Sequence, residues 1–152
     1  MTMKKAIVFS TITVATLLAG AWTASAADGT AAEAKAMLDR AVTELKSNES
    51  AALEKFNKPD GGFRDRDLYV FCFNTTSGAF TAHANAALVG KDVRSLKEKD
   101  GSPLGEKIFG AVKETVTTVN YNFPRPGGTD PVPKESYVVK VGNEGCGVGY
   151  YK

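Results

Sequence analysis

The chain has 152 residues, 43% of them hydrophobic and 24% charged, with 19 Lys and Arg against 17 Asp and Glu. That is one domain's worth of sequence, and its apolar fraction excludes a disordered tail just as two cysteines exclude a disulfide-dense miniprotein. A formal charge of +2 is far below the clustered basic excess of a nucleic-acid binder, so no nucleic-acid partner is expected.

Met1 to Ala26 carries Lys4 and Lys5, then the 17-residue run AIVFSTITVATLLAGAW, then Ala24-Ser25-Ala26, small residues where a signal peptidase cuts. The segment reads as a cleaved secretory signal. The competing reading is a retained membrane anchor, since the run sits at the short end of a bilayer span; Ser10, Thr11, Thr13 and Thr16 dilute it. Cleavage after Ala26 removes two lysines and no acid, leaving 126 residues (27–152) with no net charge. No later stretch is apolar and long enough to span a membrane, so the expected protein is periplasmic. In an oxidising compartment Cys72 and Cys146 read as one disulfide, with two buried free thiols as the alternative. One histidine, His83, and no Cys-x-x-Cys pair leave no metal site and no cofactor motif.

From Ala31 to Phe56, Ala34, Met37, Leu38, Ala41, Val42, Leu45, Ala52, Leu53 and Phe56 recur at helical intervals, opposite Glu33, Lys35, Asp39, Arg40, Glu44 and Lys46. Ser47 or Asn48 is placed to cap a second helix, so the segment is one bent helix or two in succession. Pro59 and Gly61-Gly62 end it. Asp67 to Asn74, DLYVFCFN, is apolar on both parities, as in a strand covered on both faces. Thr75 to Gly78 is turn chemistry, and AFTAHA, Ala79 to Ala84, returns as a second strand. Ser102 as cap and Pro103 as first residue start a short helix carrying Leu104, Ile108, Ala111 and Val112. Val116 to Phe123 is a third strand. Pro124 to Pro133 is expected to be an irregular loop because it holds four of the six prolines. Lys134–Val141 and Cys146–Tyr151 complete a five-stranded, mostly antiparallel sheet with the long helix on one face, an α+β architecture. A disulfide from first strand to last requires those two strands to be neighbours.

There is no nucleophile elbow, phosphate loop or zinc-binding helix, so no catalytic residue is assigned, and an enzyme built on His83 ranks below a binding module. What the strands do offer is Tyr69, Phe71 and Phe73, His83, Tyr121 and Phe123, and Lys134 with Tyr137. An aromatic cavity closed by one cation and neutral donors suits a small carboxylate, because a charge-assisted bond replaces the anion's lost hydration. The alternative is that the aromatics are core, Lys134 is a solvated strand start, and the domain is a structural or interaction module.

The run DRDLYVFCFNTTSGAFTAHANAALVGKDV, the Asp100-Gly101 pair, Tyr121 with Phe123-Pro124, PVPKESYVVKV and the ending GCGVGYYK resemble the single Cache domain of the second type, over about residues 31 to 152. The resemblance implies a PAS-like sheet behind a long N-terminal helix and extracytoplasmic sensing of a small ligand, often a short organic acid. It implies that Tyr69, His83, Tyr121 and Lys134 lie near that ligand, on the sheet face opposite the helix. A periplasmic binding module of this kind is expected to present its loaded state to a membrane partner, a receptor, kinase or transporter. The chain departs from the family pattern at Phe123, usually Trp, and at Ala84, where Pro is common.

Overall fold

The structure, a computed structural model, describes residues 28–152. The expected signal segment and its cleavage point lie outside the described residues.

Two helices in succession form the N-terminal layer: α1 (Ala31–Ser47) and α2 (Glu49–Asn57). Thr30 and Glu33 make a reciprocal capping box at the start of α1, and Asn48 Oδ1 accepts the Ala51 N–H at 3.1 Å to begin α2. The break is therefore an N-cap inserted into a continuous apolar stripe, which keeps both helices on the same side of the sheet.

The strands are β1 (Arg64–Asp65), β2 (Leu68–Asn74), β3 (Phe80–Ala82), β4 (Thr117–Pro124), β5 (Pro131–Val141) and β6 (Glu144–Tyr151), with the short helix α3 (Leu104–Ala111) before β4. All pairings are antiparallel, in the order β1-β2-β6-β5-β4, and β3 also pairs with β2. The fold is the expected α+β antiparallel sheet behind an N-terminal helix, with six strands among the described residues where five were expected. The extra strand, β1, has only two residues, too few to leave a period in the sequence.

The first long strand and the last are neighbours. Cys72 and Cys146 sit directly opposite in the β2–β6 register, with their sulfurs at the bonding distance of 2.04 Å.

The proline-rich stretch is shorter than expected. Pro124 ends β4, and Pro131 and Pro133 lie inside β5, so only residues 125–130 form the connecting loop. Lys134 pairs with Tyr151, and the Pro133 carbonyl accepts the Lys152 N–H at 2.9 Å, so from Pro133 outward β5 has outrun β6. Pro133 turns that carbonyl, and with it its missing N–H, to the Lys152 side, and Pro131 has the same parity, so neither proline withholds a ladder bond from β4. At α3 the cap is Pro103 rather than Ser102, whose hydroxyl donates to Asp100 Oδ1 at 2.6 Å.

The sheet separates two cores. On one face Leu68, Val70, Cys72, Val139, Cys146 and Val148 pack under α1 and α2. On the other, Tyr69, Phe71, Phe73, Val119, Tyr121 and Val138 meet Phe80, Val93, Leu104 and Ile108 from β3, α3 and the segment between them. Two-sided coverage explains why every residue of β2 from Leu68 to Phe73 is buried.

Candidate functional site

Lys134 is the most unusual side chain on the second face. It is 1% exposed, and among the described residues no carboxylate lies within ion-pair distance of it. Its Nζ donates to Tyr69 Oη at 3.0 Å and more weakly to Tyr151 Oη at 3.5 Å. It lies 4.2, 4.6 and 5.7 Å from the ring centroids of Tyr69, Tyr151 and Phe123. Three aromatic faces replace some of the lost hydration, but burial still pushes the amine down to about 7, with Asp67 opposing that shift and Arg125 adding to it. Gly149 makes this placement possible: a Cβ there would come within 2.5 Å of Lys134 Cε and 2.3 Å of Ser136 Oγ.

His83 is 5% exposed and follows β3. Its Nδ1 accepts the Asn85 N–H at 2.9 Å, which leaves Nε2–H as the donor of the neutral ring. Burial, then the positive charges of Lys134 and Arg64, hold its pKa down to about 4. The residue is positioned from behind. Arg64 donates to the carbonyls of His83, Ala84 and Asn57, and Asn57 accepts the His83 N–H while donating to the Thr81 carbonyl. The His83 ring meets Tyr69 and Phe80 edge-on, with centroids 5.2 and 5.3 Å apart.

Tyr69, His83 and Phe123 border two cavities at once. The outer one, about 520 Å³, runs from these residues to Asn85 and the 125–128 turn. In that turn Gly128 N donates to the Arg125 carbonyl at 2.9 Å and Gly127 has φ 77°, the residue after Pro126, as a type II turn requires. The inner cavity, about 20 Å³, is closed by Phe71, Phe80, Leu96, Ile108 and Tyr121 and has room for about one water. Tyr121 Oη is hydrogen-bonded to Ser136 Oγ at 2.7 Å, and burial raises the pKa of both Tyr121 and Tyr69.

Six of the seven residues expected at a ligand site, Tyr69, Phe71, His83, Tyr121, Phe123 and Lys134, are thus together. Lys134 is not on the wall of either cavity; it touches the Tyr69 and Phe123 rings that are. Tyr137 lies elsewhere. It packs with the helix-side core and stacks on Tyr150, centroids 6.2 Å apart. The reason is parity: Lys134 and Tyr137 are three apart in one strand and so face opposite ways.

Three residues were not expected here. Arg125 lines the outer cavity, Tyr151 supports Lys134 with its ring, and Asp67, 8% exposed, accepts from Arg125 at 3.2 Å. Alternation counted from Cys146 puts Tyr151 on the face opposite the disulfide, where Lys134 also lies. Nothing local marked Arg125, which acts across 58 residues. The cluster of Cys72, Cys146 and buried Glu144 has two of its three members committed to the disulfide, so it holds no metal in this state.

The family model for Single Cache domain 2 matches residues 3–151. A methyl-accepting chemotaxis protein of Pseudomonas putida, McpP, is 33% identical over 76 residues, 49% of this chain. The matched region spans only 14% of that protein's length. A methyl-accepting chemotaxis protein of Vibrio parahaemolyticus superposes with TM-score 0.64 at 24% identity, covering 79% of this chain and 86% of that one. A Cache chemosensory domain described in terms of carboxylic acid recognition superposes with TM-score 0.56 at 22% identity, covering 77% and 84%. A periplasmic sensor domain of a chemotaxis protein gives 0.55 at 23%, covering 77% and 86%.

Proposed function

Because the chain belongs to the Single Cache domain 2 family, we propose that it is a ligand-binding sensory module that takes a short organic acid beside Lys134, and that it is not an enzyme. The observation that carries this is a buried amine with aromatic neighbours and, among the described residues, no carboxylate within ion-pair distance. Keeping an uncompensated cation at 1% exposure costs stability, and a bound carboxylate would remove that cost. The outer cavity has the size of a small-molecule site. The acid enters there, and its carboxylate passes between Tyr69 and Phe123 to Lys134 Nζ, with His83 Nε2–H and the Tyr69 and Tyr121 hydroxyls as neutral donors.

The module faces the periplasm and passes its loaded state to a membrane receptor, kinase or transporter, with residues 1–26 as a cleaved secretory signal. The sequence pattern of those residues and the likeness to a periplasmic sensor domain support this. No helix among the described residues is long and apolar enough to cross a membrane.

One observation favours a second reading, a structural or interaction domain with a filled core: the inner cavity holds only about 20 Å³. Isothermal titration with acetate, propionate, pyruvate and lactate separates the two. A filled core gives no heat with any of them, while the sensory reading requires saturable binding that Lys134→Met weakens by about tenfold or more.

A further inference from the structure

Arg125 joins four parts of the chain at the mouth of the outer cavity. It opens the 125–128 turn, and its Nη1 donates to Asp28 Oδ1 at 2.7 Å and to Asp67 Oδ2 at 3.2 Å. Its guanidinium carbon lies 4.5 Å from the centroid of Tyr151, the last residue of β6. Asp28 lies three residues before the start of α1, and Asp67 immediately precedes β2.

The two acids are not equivalent. The Asp67 side chain is 9% exposed, and its other oxygen accepts the Gly29 N–H at 2.6 Å, so it is a fixed counter-charge. The Asp28 side chain is 56% exposed, and an ion pair open to water is screened and weak. Both carboxylates use the same Nη1. Arg125 Nε and Nη2 have no acceptor among the described residues, although the residue forms part of the cavity wall. A guanidinium anchored along one side with its other donors unengaged is prepared for a further carboxylate.

We propose that Arg125 is a ligand-contact residue at the cavity mouth for the second carboxylate of a short dicarboxylate whose first carboxylate is at Lys134, and that this second carboxylate, bound to Arg125 Nε and Nη2, competes with Asp28, loosening the tie between the 125–128 turn and the chain entering α1. The inference rests on the reading of this cavity as a carboxylate site. Three carboxylates around one guanidinium repel, and Asp28 is the one free to leave, because Asp67 is buried and held by the Gly29 amide. Occupancy of the cavity is thereby coupled to the segment that starts the long helix.

The test is a double-mutant cycle with Asp28→Asn and Arg125→Gln, read as the affinity for malonate and succinate with propionate as the one-carboxylate control, together with thermal unfolding of each variant. Asp28→Asn is expected to tighten dicarboxylate binding by about three- to tenfold, as loss of a competing like charge should. Arg125→Gln is expected to weaken it about tenfold or more, and Asp28→Asn to have no effect in that background. If Arg125→Gln does not fold, Arg125→Lys, which keeps the charge but loses the fork, must show the same weakening. Asp28→Asn leaving dicarboxylate affinity unchanged or lowering it overturns the proposal, whatever it does to melting. Parent protein that binds propionate but neither dicarboxylate overturns the Arg125 proposal alone, and parent protein that binds none of the three overturns the carboxylate reading as well. Parent protein that loses binding with Lys134→Met yet is indifferent to Asp28→Asn overturns the Arg125 proposal alone.

Discussion

Lys134 Nζ donates to Tyr69 Oη at 3.0 Å while lying 4.2 Å from the centroid of the same ring, so one tyrosine gives the buried amine both a neutral acceptor and an aromatic face. A phenol in that position satisfies the amine's geometry without cancelling its charge. A carboxylate there would have closed the site electrostatically.

Replacing Lys134 by Met, of similar length and no charge, separates stability from function. The unliganded protein should be unchanged or more stable by about 1–2 kcal/mol, because a buried charge is removed and the volume is kept. Affinity for short carboxylates should fall by about 1.5–3 kcal/mol, the worth of a charged hydrogen bond. Urea unfolding and isothermal titration read the two quantities. A variant that is less stable and binds equally well would make Lys134 a structural residue.

Two buried groups set the pH dependence. Lys134 has its folded pKa pushed down to about 7 from the ordinary 10.5. Between those values the unfolded chain holds a proton that the folded one has released, so stability of the unliganded protein rises with pH across that window, by at most about 1.4 kcal/mol per unit. Ligand binding runs the opposite way. A carboxylate favours the charged amine, so above about pH 7 binding takes up a proton and affinity falls up to about tenfold per unit. Titration in buffers of different ionisation enthalpy measures that proton. His83 is held down to about 4 against an ordinary 6.5. Its share of stability is complete above the ordinary value and is lost as pH falls from about 6.5 to about 4. It is the chain's one histidine, so its ring protons can be followed by NMR without assignment, and Lys134→Met should raise its pKa.

Tyr137→Phe should leave ligand affinity within about twofold of the parent, because its ring faces the α1 layer and stacks on Tyr150. Tyr69→Phe, which removes the acceptor of Lys134, should change it. Equal effects of the two would mean the ligand is not on the expected face of the sheet.

The helix and the first long strand were legible because each carries a period or its deliberate absence: the stripe from Ala34 to Phe56 repeats at helical intervals, and LYVFCF is apolar at every position. Adjacency of the first and last strands followed from two cysteines. Residues 131–133 are strand despite their prolines, because what decides is which side of the strand faces a partner, and proline content alone does not carry that. Tyr137 was grouped with Lys134 by proximity in sequence although strand parity separates them. Arg125 and Asp67 carry no local signal at all, since their pairing depends on how β4 returns past the start of β2. The alternating glycines of GCGVGYYK were the overlooked clue, since Gly149 clears the space that Lys134 occupies.

Reducing the Cys72–Cys146 disulfide, or replacing both cysteines by Ser, should lower stability by about 2–4 kcal/mol, because the bond closes a loop of 74 residues in the unfolded chain. Denaturant unfolding with and without reductant gives the figure. The cost should leave ligand contacts intact, since both sulfurs lie in the helix-side core, away from the cavity residues.

The most direct test of the account is a crystal structure of the protein grown with propionate. The expected result is one propionate among Tyr69, His83 and Phe123, its carboxylate within hydrogen-bond distance of Lys134 Nζ and its ethyl group against the aromatic rings. A propionate seated away from Lys134, or a cavity that stays free of it at saturating concentration, would contradict the claim that this buried amine is the ligand's partner.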